Sequence, residues 1–220
     1  MDISRDRFAF DAIIFDLDGT LLDTEAVALD TGVATMAALG HPVPREVMHR
    51  LVGIDAQAGF VMICEWLGRE LDFHVTNAAL GAAFRAALAE GVPLKPGVTE
   101  MLDVLDARGL PRAVATNSGT ESALWKIERA GLQGRLGTVV GRDLAPEGKP
   151  APGIYLEAAR RIGIAPGRCL AIEDSDIGVR AAKAAGMAVV QIPDMIDSQD
   201  RAADLEARSL AEAMARLGLA

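Results

Sequence analysis

Asp16 and Asp18 are separated by the single residue Leu17 in Asp16-Leu17-Asp18-Gly19-Thr20. Two carboxylates at that spacing can converge on a cation and a reacting phosphorus. One can attack as a nucleophile while the other moves a proton. Gly19 lets the backbone turn sharply beside a ligand. The same residue types also occur in calcium loops and in simple turns. A calcium loop of the EF-hand kind sits between helices and offers further oxygen ligands at alternate positions. Here the apolar run Ala12-Ile13-Ile14-Phe15 precedes the pair and Leu21-Leu22 follow it. The run predicts a buried β-strand that ends at the aspartates.

The elements that would hold this pair change character along the chain. From Glu25 to Glu90 the patterns are helical. Leu29, Val33, Met36 and Gly40 mark one helix face, and Val47 and Leu51 a short second one after Pro44. Phe60, Val61, Cys64 and Leu67 line a third, and Leu80, Ala83, Phe84, Ala87 and Leu88 a fourth. These stripes predict a small bundle burying its own core, with stops near Gly40, Gly53, Gly68 and Gly91. Pro93-Leu94-Lys95-Pro96-Gly97 reads as a linker.

Beyond the linker, helices alternate with short β-rich runs. Strands are predicted at Arg112–Ala115, Leu136–Val140, Cys169–Ile172 and Ala188–Ile192. Helices are predicted near 98–107, 121–130, 154–162, 177–185 and 205–217. Alternation of this kind predicts an α/β fold, a doubly wound parallel-sheet, Rossmann-like core with helices on both faces. The expected division is a core of residues 1–23 and 93–220, with residues 24–92 as an inserted α-helical cap domain.

In a doubly wound sheet, ligands bind beyond the carboxyl ends of the strands. Those ends carry Asp16 and Asp18; Thr116, Asn117 and Ser118; Asp143 and then Lys149-Pro150; and Glu173, Asp174 and Ser175. Separately, Thr116–Gly119 reads as a helix cap, Lys149 as a solvated lysine and Asp174 as another cap. All of them arriving at one edge is poorly explained that way. A phosphomonoester dianion needs a cation and hydrogen-bond donors, which Lys149, Thr116 and backbone N–H groups can supply. A divalent ion held by Asp16, Asp174 and a carbonyl near Asp18 would offset carboxylate–phosphate repulsion, and oxygen ligands favour Mg²⁺.

Composition narrows the setting. Of 220 residues half are hydrophobic and only 4% aromatic, which suits closely packed helices on a sheet. The net charge of −9 and the lack of a basic run argue against nucleic-acid binding. No apolar run is long enough to span a membrane, and Met1 to Arg7 lack a secretory core. Cys64 and Cys169 fit no metal-ligand spacing and read as buried free thiols. A cytoplasmic protein, monomeric or weakly dimeric, is expected.

The motifs together resemble the haloacid dehalogenase (HAD) superfamily of phosphotransferases. The likeness is to the branch with a helical cap after the first strand, which includes β-phosphoglucomutases and phosphoglycolate phosphatases. It rests on Asp16 through Glu25, Ala115-Thr116-Asn117-Ser118, Gly148-Lys149-Pro150-Ala151-Pro152, and Ile172-Glu173-Asp174-Ser175 with Gly178 and Ala181-Ala182 beyond. The resemblance implies that Asp16 is the nucleophile, forming an aspartyl-phosphate. It implies that Asp18 is acid for the leaving group and then base for water. Thr116, Asn117 and Lys149 would bind phosphate, and Asp16, Asp18, Asp174 and Glu173 would form the Mg²⁺ site.

Haloacid dehalogenases themselves lack the second aspartate, so Asp18 disfavours carbon–halogen cleavage. The related mutases carry a histidine where this chain has Ala28 and a cap arginine where it has Ala56. The expected function is therefore hydrolysis of a small phosphorylated metabolite, such as a sugar phosphate. Phosphosugar mutase activity is the nearer alternative and a receiver-type phospho-acceptor domain the remoter one. The segment Gly53 to Gly59 is expected to face the site, with Asp55 and Gln57 as candidate contacts. Helix capping by Asp55 and a solvated Gln57 account for those two residues better. His41, His49 and His74 show no metal spacing.

Overall fold

The structure is a computed structural model, which describes residues 8–52, 54 and 56–219. Gly53 and Asp55 lie outside the described residues, as do the expectations placed on them. Six parallel strands form one sheet: β1 (Ala12–Phe15), β2 (Arg112–Ala115), β3 (Val139–Val140), β4 (Cys169–Glu173), β5 (Ala188–Gln191) and β6 (Leu205–Glu206). Their order is β3-β2-β1-β4-β5-β6. The chain winds outward from β1 to β3, crosses back to β4 and winds out the other way. The reversal between β1 and β4 leaves a crevice at the carboxyl ends of these two strands. Phe15 is in register with Val114 on one side and Ile172 on the other, and Asp16 N donates to Ile172 O at 2.9 Å. The ends of β1 and β4 are thereby fixed side by side.

Alternation along β1 separates two cores. Ile13 and Phe15 pack with Met101, Leu102 and Leu105 of α5 (Val98–Arg108), Ala123 and Ile127 of α6 (Thr120–Arg129), and Ala213 of α9 (Leu210–Arg216). Ala12 and Ile14 point the other way, onto Ile154 and Tyr155 of α7 (Gly153–Ile162) and Val179 and Ala182 of α8 (Asp176–Ala184). A four-residue strand with both faces covered has to be apolar throughout, and all four residues of β1 are fully buried.

Four helices lie between β1 and α5: α1 (Glu25–Ala38), α2 (Arg45–His49), α3 (Ala56–Leu67) and α4 (Phe73–Ala87). They enclose a small core of their own: Leu29, Met36, Val43, Met48 and Ile63. In α3 the buried positions are Gly59 and Ile63 rather than the expected stripe, and Val61 is exposed. That helix is apolar almost all round, so spacing alone could not choose its inner face. The insert leaves and rejoins the sheet domain at one seam. Asp23 N donates to Pro93 O at 2.9 Å, Lys95 N donates to Leu21 O at 3.0 Å, and Leu22 pairs with Leu94 in an antiparallel bridge.

Two expected elements differ. The strand at 136–140 shrinks to Val139–Val140, and the predicted C-terminal helix is β6 followed by a shorter helix that Ser209 caps by accepting from Glu212 N. No helix among the described residues is long and apolar enough to cross a membrane.

Candidate active site

Asp16, Thr116, Lys149 and Asp174 are each less than a tenth exposed, and all line one cavity of about 470 Å³ at the carboxyl edge of the sheet. Asp18, Asn117, Ser118 and Ser175 line it too. Asp143 is elsewhere, its Oδ1 accepting from Thr120 N at 2.6 Å, but the strand ends deliver these other expected side chains to one place. Glu173 lies just behind, fully buried.

The Lys149 ammonium is the hub. It donates to Asp16 Oδ1 and, at 2.6 Å, to Glu173 Oε1, which also accepts from the Tyr155 hydroxyl. Burial works against its charge, but Asp16 and Glu173 outweigh burial and hold it well above the usual lysine range. Asn117 fixes the loop that carries Lys149: its Oδ1 accepts from Lys149 N at 2.8 Å. Thr116 Oγ1 accepts from Ser118 N at 3.0 Å. Gly178 keeps space for Glu173, since a Cβ there would stand 2.0 Å from its carboxylate oxygen. Gly19 does the same for Asp174 with a φ of +84°; a Cβ would stand 2.5 Å from Asp174 Oδ2. Both glycines are demanded by the close approach of a carboxylate.

Asp16, Glu173 and Asp174 each place one oxygen within 4.8 Å of the others. Three buried carboxylates against one ammonium is an unfavourable balance. Burial pushes the Asp16 carboxyl up to about 7, against the pull of Lys149 and helped by repulsion from Glu173. Burial and the neighbouring Asp16, Glu173 and Glu25 carboxylates push Asp174 well above its ordinary value. Glu25 at the start of α1 is raised to about 8 by burial and by Asp194, Asp16 and Asp18, and its Oε2 is buried without a partner. An orphaned acidic oxygen beside an overcharged trio is what a divalent cation would relieve, so the residues present fit one. The donors are all oxygen, the set preferred by hard cations.

Asp18 belongs to a different network. It accepts from Thr24 Oγ1 at 2.6 Å, from Ser118 Oγ at 2.9 Å and from the Lys126 ammonium. Burial raises its pKa, but Lys126 and these hydrogen bonds outweigh burial, and the carboxyl is held below its usual value. Its side chain stands outside the trio formed by Asp16, Glu173 and Asp174. Two carboxylates two residues apart are thus driven in opposite directions by their neighbours.

Sequence reasoning passed over Lys126, Tyr155 and the burial of Glu25. Lys126 sits on the apolar face of α6 with Ala123 and Ile127 and is 3% exposed. A lysine on the buried stripe was its signal. Tyr155 is the chain's single tyrosine, set among Ile154, Ala158 and Ala159 on the inner face of α7. From the insert, α4 brings Asn77, Gly81 and Arg85 to the same cavity, along with Ile54 and Ala56. Ala28 faces a second, adjoining space of about 380 Å³.

A protein-family model described as haloacid dehalogenase-like hydrolase matches residues 10–186. The chain belongs to this family. Among curated relatives of this haloacid dehalogenase-like hydrolase, fructose-1-phosphate phosphatase YqaB of Escherichia coli is 32% identical over 189 residues, spanning 85% of this chain and 97% of the relative. A phosphorylated carbohydrates phosphatase of Thermotoga maritima is 29% identical over 177 residues, spanning 80% of this chain and 82% of the relative. Among solved structures, CbbY from Rhodobacter sphaeroides in complex with xylulose-1,5-bisphosphate superposes with a TM-score of 0.81 at 29% identity. The match covers 94% of this chain and 99% of that one.

Proposed function

We propose that this haloacid dehalogenase-like hydrolase is a Mg²⁺-dependent phosphatase that hydrolyses a small phosphomonoester, a sugar phosphate in particular, through an aspartyl-phosphate on Asp16. The observation that carries the reading is the meeting of Asp16, Lys149, Thr116 and Asp174 in one cavity with Asp18 at its edge. The names of the two phosphatase relatives support the substrate class.

An Asp16 oxygen attacks phosphorus, and the bond from phosphorus to the ester oxygen breaks. Lys126 keeps Asp18 ionised in the unliganded site, so Asp18 must take up a proton as the ester binds before it supplies one to the departing oxygen. Asp18 then takes a proton from water, which attacks phosphorus and releases inorganic phosphate and the Asp16 carboxylate. Lys149 and Thr116 hold the phosphoryl oxygens, and Asn117 holds the Lys149 backbone in place. Asp16, Asp174 and Glu173, with a backbone carbonyl near Asp18, would hold Mg²⁺, which when bound offsets the repulsion between an anionic nucleophile and an anionic ester. Residues 24–92 act as a cap that keeps bulk water from the reacting centre and contacts the leaving group.

Hydrolysis is favoured over phosphosugar mutation at two positions. The histidine and cap arginine that the resemblance ascribes to mutases are Ala28 and Ala56 here, and both face the space under the insert. The test is phosphate release from a panel of sugar, nucleotide and glycolytic monophosphates, with Mg²⁺ and with chelator. Metal-dependent release from at least one sugar phosphate is expected. Isomerisation without release would transfer the reading to a mutase, and a single slow phosphorylation without turnover would transfer it to a receiver-type acceptor.

A further inference from the structure

The insert carries a polar stripe that the hydrolytic chemistry does not use. Asn77, Gly81 and Arg85 recur every four residues on α4, which puts them on one helix face, and all three line the cavity above Asp16 and Asp18. Leu80 of the same helix packs toward the insert's own core.

Gly81 sits in the interior of a 15-residue helix, where glycine costs about 1 kcal/mol relative to alanine. Packing does not require it. Its φ is not positive, and a Cβ built there would meet nothing within 4 Å. The space it leaves opens into the cavity. A helix that gives up stability for an opening beside the reacting centre is making room for something.

Arg85 is one turn further along. Among the described residues no carboxylate lies within salt-bridge distance of it, although the cavity also holds Asp16, Asp18, Glu25 and Asp174. Its guanidinium lies 5.2 Å from the centre of the Trp125 ring on α6. Stacking on an indole restrains a guanidinium and leaves its N–H edge free. That edge is a planar fork suited to a carboxylate or a phosphate. The other two cations of the site, Lys149 and Lys126, are already paired with carboxylates. Among the described residues Arg85 therefore carries the cavity's positive charge that no carboxylate has claimed.

From these observations we propose that α4 forms the leaving-group subsite, with Arg85 binding a second oxyanion on the phosphomonoester, a carboxylate or a further phosphate. Gly81 clears the space for the carbon chain between the two anionic ends, and Asn77 offers an amide to its hydroxyls. The assignment rests on the phosphatase reading and names the substrate class within it: esters with an anion at each end.

The experiment compares pairs that differ by the second anion. Phosphoglycerate is set against glycerol phosphate, and a hexose bisphosphate against the hexose monophosphate, in Mg²⁺-dependent phosphate release. A charge-assisted hydrogen bond of about 1.5–3 kcal/mol corresponds to a preference of about 10- to 140-fold in kcat/KM for the anionic member. The first pair reports a carboxylate and the second a phosphate. Arg85→Gln is expected to lower kcat/KM for the anionic member at least about tenfold more than for the neutral one, mainly through KM, and Arg85→Lys to restore part of the ratio. Gly81→Leu is expected to raise KM for both hexose esters far more than for both three-carbon esters. A wild-type ratio near one in both pairs overturns the subsite. So does an Arg85→Gln variant that slows all four esters equally, which would make Arg85 a strut between insert and sheet. If none of the four is hydrolysed, the phosphatase reading is what fails. Calorimetric binding of phosphoglycerate to wild type and Arg85→Gln then still decides the subsite, equal affinities or no binding counting against it.

Discussion

The sheet edge and the helical insert face one another across a single cavity and are built on opposite terms. On the sheet side Asp16, Lys149, Glu173 and Asp174 are all buried, and the lysine ties Asp16 and Glu173 together. On the insert side Asn77, Gly81 and Arg85 are exposed, and Arg85 is steadied by one indole. The sheet edge draws on a core of more than two dozen buried residues, the insert on five. Under the proposed function, bond making at phosphorus tolerates little misplacement, and its groups would sit on strand ends where packing and charge over-determine them. Recognition of a leaving group tolerates more, and it is carried on a helix face with few ties.

Four measurements break or sharpen that contrast. The largest effect is expected from Asp16→Asn, which under the proposed function lowers phosphate release by at least ~10³-fold with an unchanged circular dichroism spectrum. Near-normal Mg²⁺-dependent turnover would remove Asp16 as nucleophile. Next is Lys149→Met, which leaves Asp16 and Glu173 facing each other with no cation between them and, among the described residues, Glu173 held only by hydroxyls. A loss of about 3–5 kcal/mol in denaturant unfolding is expected, and a loss below ~1 kcal/mol would show that the edge is less tightly coupled than its contacts imply.

The third is the pH dependence of metal binding. Asp16 and Glu25 have folded-state pKa values raised from 3.8 to about 7 and from 4.5 to about 8. A raised folded pKa favours the folded state fully below the unfolded value and loses that benefit as pH climbs through the folded one. The contribution of this pair to the stability of chelator-treated protein should therefore fall between about pH 4 and 8. A cation that binds the ionised edge restores it, so the rise in melting temperature on adding Mg²⁺ should be larger at pH 8 than at pH 5. Equal rises at both values would dissociate the carboxylates from the metal. The smallest effect is expected on the insert: Arg45→Ala removes an ion pair with Asp30 in which both side chains are more than half exposed, and stability should stay within about 0.5 kcal/mol.

Much of the sheet edge was legible in the sequence because strand ends concentrate polar residues after apolar runs. Ala12–Phe15 and Arg112–Ala115 are strands at the predicted residues, and the side chains after β1, β2 and β4 reach one cavity. What escaped was of two kinds. β6 is two residues long, too short for any period to mark it, and it was absorbed into the helix that follows. Lys126, Glu25 and Arg85 belong to helices, where a charged residue reads as solvated until the packing partner is known. Lys126 is buried only because Asp18 and Ser118 await it from other elements. Lys126, which no motif spacing marks, is the chief partner that holds the Asp18 carboxyl below its usual value against burial.

The seam at which the insert departs and returns also governs how such an enzyme can change. Leu21 to Asp23 and Pro93 to Lys95 are laced together by two backbone hydrogen bonds and one bridge. Beyond that lacing, Thr24 and Glu25 still reach Asp18 and the acidic trio, and Leu88 and Val92 still pack into the sheet's core, but among the described residues the stretch between these two ends is tied to β1 and β4 by no strand pairing. Under the proposed function, a change of side chains on the helices of the insert can alter what is recognised while the strand ends that would break the ester bond keep their places.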